Sequence, residues 1–99
     1  MVSYIERDAA LIRQSLPEGT TVPDGSDQLF RIYAVLLRAK GAATQAVDVH
    51  DAWSAWMAAS EPDHESIRPF SDLDAETRRE DEPFLTAIRR AAATNADIS

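Results

Sequence analysis

The segment DQLFRIYAVLLRAK, residues 27–40, is the part of the sequence that says most about the fold. Its apolar middle carries a single charge, Arg31. Ser26 and Gly41 flank it, and these residue types commonly begin and end helices, so the pattern predicts a helix over 27–40. A helix that is apolar on nearly all sides belongs in the centre of a bundle or at a contact between subunits.

Three further helices are predicted, over residues 3–16, 44–59 and 75–93. Ser3, Thr44 and Asp74 stand at their starts, where a side-chain oxygen can accept a hydrogen bond from a free main-chain N–H. Pro83 falls within the last segment and either kinks that helix or begins a new one. No segment alternates as a strand does. The sequence therefore predicts an all-α fold, a small bundle of four helices, or five if Pro83 divides the last.

The chain of 99 residues is short enough that one domain is expected. Within residues 1–99 we expect an N-terminal helix pair over 1–43, a helical hairpin over 44–93 and a frayed tail over 94–99. The charge is uneven, because residues 41–74 hold seven acidic residues and one basic residue. This acidic region is either a binding face or a solvated surface.

The composition excludes several classes of function. A net charge of −7 disfavours binding to nucleic acids and to anionic membranes. The absence of cysteine excludes disulfides, thiolate zinc sites and a Cys nucleophile. The charged N-terminus does not read as a signal peptide, and no apolar run would span a bilayer, so a cytoplasmic protein is expected.

The segment VHDAWSAWM, residues 49–57, places Trp53 and Trp56 on one predicted helix. Each indole buries a large area, so the two could form part of the core. Alternatively, one of them could be a platform on which a ligand base stacks.

The two histidines lack the spacing of a metal site, and neither a metal nor any other cofactor is predicted. We expect His50 to hydrogen-bond a main-chain carbonyl of the loop 60–70, and His64 to order that loop. Arg68 is the lone base in the acidic region and is expected to pair with a carboxylate. Arg79 is suited either to anion recognition or to contacts with acidic neighbours on its own helix.

These residues also form a recognisable pattern. A His-acidic-x-Trp element is followed by a His-containing bend and then by a Leu and an Asp; the residues are His50, Asp51, Trp53, His64, Ile67, Arg68, Pro69, Phe70, Leu73 and Asp81. Over residues 46–90 the pattern resembles the repeat domain of ryanodine receptors, the RyR domain, and small proteins of actinobacteria and their phages that share it. The resemblance implies a helical hairpin and a nucleotide stacked on Trp. Many RyR domains carry a Gly-Trp-x-Tyr-Gly segment where this chain has MAASEP, residues 57–62.

Two functions of different classes follow. The first is a non-catalytic protein-interaction module, either a homodimer through helix 27–40 or a phage-type accessory protein that acts on a host partner. The alternative is a module that binds a nucleotide-like small ligand. No catalytic motif is present, so an enzyme is not expected. The candidate binding residues are His50, Trp53, Trp56, His64, Arg68, Phe70 and Arg79.

Overall fold

The computed structural model describes residues 2–98, with side chains described as far as residue 96. Its α-helices are α1 (Tyr4–Gln14), α2 (Asp27–Lys40), α3 (Ala46–Ala58), α4 (Ala75–Arg79) and α5 (Glu82–Ile98), with short 3₁₀ turns at Gly41–Ala43 and Phe70–Asp72. The described residues contain no strand, so the predicted all-α bundle is confirmed. Within 2–98, no helix has both the length and the apolar character needed to cross a membrane.

Helix α2 lies at the centre of the bundle and contacts α1, α3 and α5. One hydrophobic core joins these four helices; its buried members are Ala9, Ile12, Leu29, Phe30, Tyr33, Ala34, Leu37, Val49, Ala87, Ile88 and Ala91. Burying each large side chain of this kind stabilises the fold by roughly 1.5–3 kcal/mol. The apolar residues of α2 therefore pack mostly against other helices of the same chain, and Val35 is the main exposed apolar residue of α2.

Several helix ends lie where local rules place them. The Ser3 hydroxyl accepts from the main-chain N–H of Glu6 at 3.2 Å, and the Asp74 carboxylate accepts from that of Thr77 at 2.8 Å. Gly41 ends α2 with a φ of 53°, a conformation that few residues other than glycine adopt.

The start of α3 differs from the prediction. Thr44 is buried and its hydroxyl donates to the carbonyl of Gly41 at 2.7 Å, so it closes the preceding turn and does not cap α3. The helix begins at Ala46, and the carboxylate of Asp48 accepts from the main-chain N–H of Gln45 at 2.8 Å. The sequence assigned Thr44 to the wrong element, because a threonine hydroxyl can hydrogen-bond a main-chain group of either the preceding turn or the following helix.

Pro83 divides the last predicted helix, since α4 ends at Arg79 and Pro83 lies in the first turn of α5. A proline in the first turn removes an N–H that has no partner within the helix. Helix α5 continues to Ile98, beyond residue 94 where the frayed tail was predicted to begin, with the Thr94 hydroxyl donating to the Arg90 carbonyl at 3.1 Å. Ser99 lies outside the described residues.

Charged contacts close the bundle between distant segments. The Arg89 guanidinium donates twice to the main-chain carbonyl of Thr44, at 3.1 and 2.8 Å, and so ties α5 to the segment before α3. Arg38 of α2 pairs with the buried carboxylate of Asp8 of α1 at 2.6 Å. These contacts tie distant segments of the bundle to one another.

A candidate ligand-binding cleft

A cleft of about 540 Å³ opens between the loop that follows α1, the loop that follows α3 and the start of α5. It is lined by Gly19, Thr20, Thr21, Pro23, Leu29, Tyr33, His50, Trp53, His64, Ser66, Thr77, Glu80, Asp81, Pro83 and Phe84. Three of the predicted binding residues, His50, Trp53 and His64, meet in it. The other four do not line it.

His50 connects α3 to the loop that follows it. Its Nε2 lies 2.8 Å from the carbonyl oxygen of Arg68. A carbonyl can only accept, so Nε2 carries the proton and donates, which confirms the expected bond to the 60–70 loop. The other nitrogen, Nδ1, faces Oδ2 of Asp81 at 3.6 Å. Both nitrogens of this buried ring therefore face groups of the protein.

The bend at residues 66–73 is held by ring contacts and by main-chain hydrogen bonds. Phe70 packs on the ring of His50, with centroids 6.2 Å apart. The guanidinium of Arg78 lies over the Phe70 ring at 5.2 Å and donates to the Ser71 carbonyl at 2.7 Å. The phase of the short helix α4 brings Arg78, and not Arg79, to the bend.

Trp53 forms one wall of the cleft. Its ring stacks on His50, with centroids 5.7 Å apart and planes 21° apart, and meets His64 edge-on at 5.2 Å. His64 is held by its Nδ1, which accepts from the main-chain N–H of Ser66 at 3.1 Å, so it orders the loop as expected. Trp53 is half-buried, and its remaining surface faces the cleft.

Asp81 sits immediately before α5, and its main-chain carbonyl accepts from the N–H of Leu85 at 3.0 Å. The residue is only 8% exposed, and its Oδ2 has no hydrogen-bond partner among the described residues. Burial raises the pKa of this carboxyl to about 6; the charge of Glu80 adds to the rise, and His50 opposes it. The buried carboxylate therefore disfavours folding at neutral pH, and no bond to Oδ2 offsets that cost.

Tyr33 of α2 is buried in the wall of the same cleft and packs beside Phe84, with ring centroids 5.7 Å apart. Burial, together with the nearby negative charge of Asp81, raises the pKa of the Tyr33 hydroxyl above its ordinary value. The hydroxyl therefore stays protonated at neutral pH and can donate as well as accept.

The charges around the cleft are of one sign. Asp81 and Glu80 supply carboxylates, and none of the lining residues is Lys or Arg. Within the described part of the chain, no three His, Cys, Asp or Glu residues are placed to hold a metal ion. The cleft therefore complements a ligand that brings hydrogen-bond donors or positive charge.

The remaining predicted residues lie outside the cleft. Trp56 is half-buried and packs against the core, whereas Arg79 is exposed on α4. The Nε of Arg68 donates to the main-chain carbonyl of Glu65 at 2.9 Å; among the described residues this bond, and not the expected carboxylate pair, holds the guanidinium.

Most residues of the cleft were absent from the predicted set of binding residues, among them Asp81 and Tyr33. Asp81 was noted only as part of the resemblance, although an Asp directly before Glu-Pro is itself a sign of a helix start. Tyr33 stood in the most apolar helix, where its hydroxyl was the one polar side-chain group of the buried stripe that called for an explanation.

Residues 3–93 match the family described as Domain of unknown function (DUF7701). The chain belongs to this family. The matched region contains every residue that lines the cleft, so the site lies within the DUF7701 domain and not in an appendage to it. No curated protein and no solved structure matches the chain. The resemblance to the RyR domain stays a prediction.

Proposed function

We propose that this DUF7701 domain is a non-catalytic module that binds a small ligand in the cleft. One observation carries the proposal: a cleft of about 540 Å³ with aromatic lining contains a buried carboxylate whose Oδ2 has no hydrogen-bond partner among the described residues. Ligand sites are typically mostly apolar clefts of roughly 300–1,000 Å³ with a few placed polar groups. Features that cost stability and serve no structural purpose are expected at functional sites.

A binding role suits the cleft better than a catalytic one. A general base needs a nitrogen or oxygen free to reach the substrate. The Nε2 of His50 is used by the Arg68 carbonyl, and its Nδ1 faces Asp81. The histidine therefore acts as a strut between α3 and the bend. The same network supports a pre-formed cleft, because it fixes Trp53 by stacking.

Of a nucleotide-like ligand, the base fits the cleft and the phosphates do not. Trp53 offers an aromatic surface on which a base can stack, in line with the resemblance to the RyR domain. Phosphate recognition relies on Arg, Lys or a helix N-terminus, and the lining contains no Arg or Lys. The carboxylate of Asp81 lies directly before α5, where it would repel an approaching phosphate.

Thermal-shift measurements with nucleobases, nucleosides, nucleotides and small amines at millimolar concentration test the proposal. We expect at least one class of compound to raise the Tm. Trp53→Leu should remove that shift, whereas the matched variant Trp56→Phe should retain it, because Trp56 lies outside the cleft. If no class of compound shifts the Tm of the wild-type protein, the cleft is not a ligand site and the proposal fails.

A second candidate function, contact with a protein partner or a second copy, has one specific observation in its favour. Tyr4 and Val35 are each 56% exposed, and the guanidinium of Arg38, one turn along from Val35, lies 4.9 Å from the Tyr4 ring. Exposed aromatic and Arg groups of this kind are common anchors in interfaces. Light scattering tests self-association, and Val35→Glu should dissociate a dimer formed through α2. A monomer at all concentrations would leave only a different protein as partner.

We further propose a cytoplasmic location, in which that partner would be a host protein if the chain is a phage-type accessory protein. The absence of cysteine from the 99 residues is compatible with this reducing compartment. Pull-down from a host lysate with the wild-type chain and with Val35→Glu tests whether a host protein binds. Capture that is insensitive to the substitution would argue against the surface around Tyr4 and Val35.

A further inference from the structure

The electrostatic character of the cleft restricts what can bind there. Its lining includes two carboxyl side chains, Asp81 and Glu80, and no Lys or Arg. The chain as a whole carries a net charge of −7, so no background of positive charge compensates them. A cleft of one sign with low-dielectric walls concentrates ligands of the opposite sign. Cations should therefore be enriched in it, and anions excluded.

Asp81 supplies a defined point of attachment. The residue is 8% exposed and lines the cleft, and its Oδ2, itself shielded from solvent, has no hydrogen-bond partner among the described residues. Nδ1 of His50, which lies 3.6 Å from Oδ2, carries no proton in the neutral ring, because Nε2 donates to the Arg68 carbonyl. The carboxylate thus keeps acceptor capacity that the fold does not use. A charged N–H donor from a ligand would form a charge-assisted bond with it.

The walls indicate what the rest of the ligand looks like. Trp53 and Phe84 are half-buried and line the cleft, and Tyr33 lines it from a position that is only 1% exposed. Aromatic faces attract cations and pack against flat or aliphatic groups. We propose that the ligand is an organic cation, an ammonium or amidinium group held at Asp81 on a flat or aliphatic body that lies against Trp53. This inference rests on the ligand-binding function proposed above.

Titration of the site supports the same assignment. The titratable groups that face Asp81 are the Tyr33 hydroxyl from α2, His50 from α3 and Glu80 at the end of α4. Because the pKa of the Asp81 carboxyl is about 6, the carboxylate is mostly ionised at pH 7.5 and mostly protonated at pH 5. Binding of a cation should therefore weaken on acidification through that range.

The test compares benzamidine with benzamide, which share a ring and nearly the same shape but differ in charge. Binding is followed by the fluorescence of Trp53 in a Trp56→Phe background. At about pH 7.5 we expect benzamidine to bind about tenfold or more tightly than benzamide, since a charge-assisted bond is roughly twice as strong as a neutral one. Asp81→Asn should abolish the difference. Asp51→Asn, which removes the same charge from an exposed position on α3, should preserve it.

The outcomes separate the two proposals. If benzamide or adenosine binds as tightly as benzamidine, and Asp81→Asn has no effect, the cleft binds ligands but the cation assignment is overturned. If Asp51→Asn weakens benzamidine as much as Asp81→Asn does, the attraction is a general one to an acidic surface and the assignment also fails. If neither the cationic nor the neutral compounds change the fluorescence of Trp53 at millimolar concentration, the proposed ligand-binding function itself is refuted. Circular dichroism of Asp81→Asn confirms that loss of binding is not loss of fold.

Discussion

Replacing Asp81 by Asn is expected to stabilise the protein at neutral pH, because it removes a buried negative charge. Burial raises the pKa of the carboxyl from 3.8 to about 6. The folded state therefore binds more protons than the unfolded state between these values. The stabilising contribution of the protonated carboxyl is fully present below about pH 4 and is lost as the pH rises through about 6. A shift of about 2 units corresponds to about 3 kcal/mol at 1.36 kcal/mol per unit.

The slight solvent contact of the side chain reduces this figure, so we expect a gain of about 1–3 kcal/mol for Asp81→Asn at neutral pH. An amide keeps the shape of the carboxyl and can donate to Nδ1 of His50, which ionised Asp81 cannot do. The relevant quantity is the difference in free energy of unfolding between variant and wild type. This difference should grow between about pH 4 and pH 7 and then level off.

Urea denaturation followed by circular dichroism at a series of pH values measures this difference. Asp48 and Asp74 have lowered pKa values, because they accept hydrogen bonds from Lys40 and from the Thr77 N–H respectively. Their contribution runs in the opposite direction and is lost as the pH falls, but it is common to both proteins and cancels. Asp51→Asn is the control, since the same charge is removed from an exposed site.

The reasoning is refuted if Asp81→Asn is less stable than wild type at neutral pH by more than about 1 kcal/mol. That result would mean that a protonated His50 and the Asp81 carboxylate form a stabilising ion pair. It is also refuted if the difference between the two proteins does not change with pH, because the carboxyl would then titrate alike in the folded and unfolded states. In either case Oδ2 would not be an unused acceptor awaiting a ligand.

Three other substitutions test the fold and the bend. Ile88→Ala, at a fully buried core position, should cost roughly 2–5 kcal/mol in urea denaturation through the cavity it leaves; a loss below about 1 kcal/mol would contradict the packing described. Arg89→Ala removes both hydrogen bonds to the Thr44 carbonyl and should lower the free energy of unfolding by about 1–3 kcal/mol. Arg89→Lys should lower it less. Equal losses in the two variants would show that these hydrogen bonds do not contribute to stability. His50→Ala should free the 66–73 bend and speed limited proteolysis there while helix content is kept; unchanged cleavage would mean that Arg78 alone holds the bend.

Local interactions account for the parts of the fold that could be read from the chain. The helix over 27–40 was placed correctly because its apolar pattern and the following Gly41 act within a few residues of one another, although the side chain of the preceding Ser26 makes no capping bond. Ser3 and Asp74 cap α1 and α4 for the same reason, since a capping bond spans three residues. Where one side chain can serve either of two neighbouring elements, as Thr44 does, the rule misplaced the boundary.

The site needed more than these local rules. Tyr33, His50, Trp53 and Asp81 come from α2, α3 and the start of α5, and no short-range pattern states that they meet. Their meeting depends on how the helices cross, and the crossings are set by core side chains contributed by distant segments. The phase of the short helix α4 likewise brings Arg78, and not Arg79, into contact with the bend. The sequence by itself thus determined the helices and most of their ends, because the hydrogen bonds involved join residues close together in the chain. Only the tertiary structure decided the cleft, because its residues come from separate helices that pack on one core.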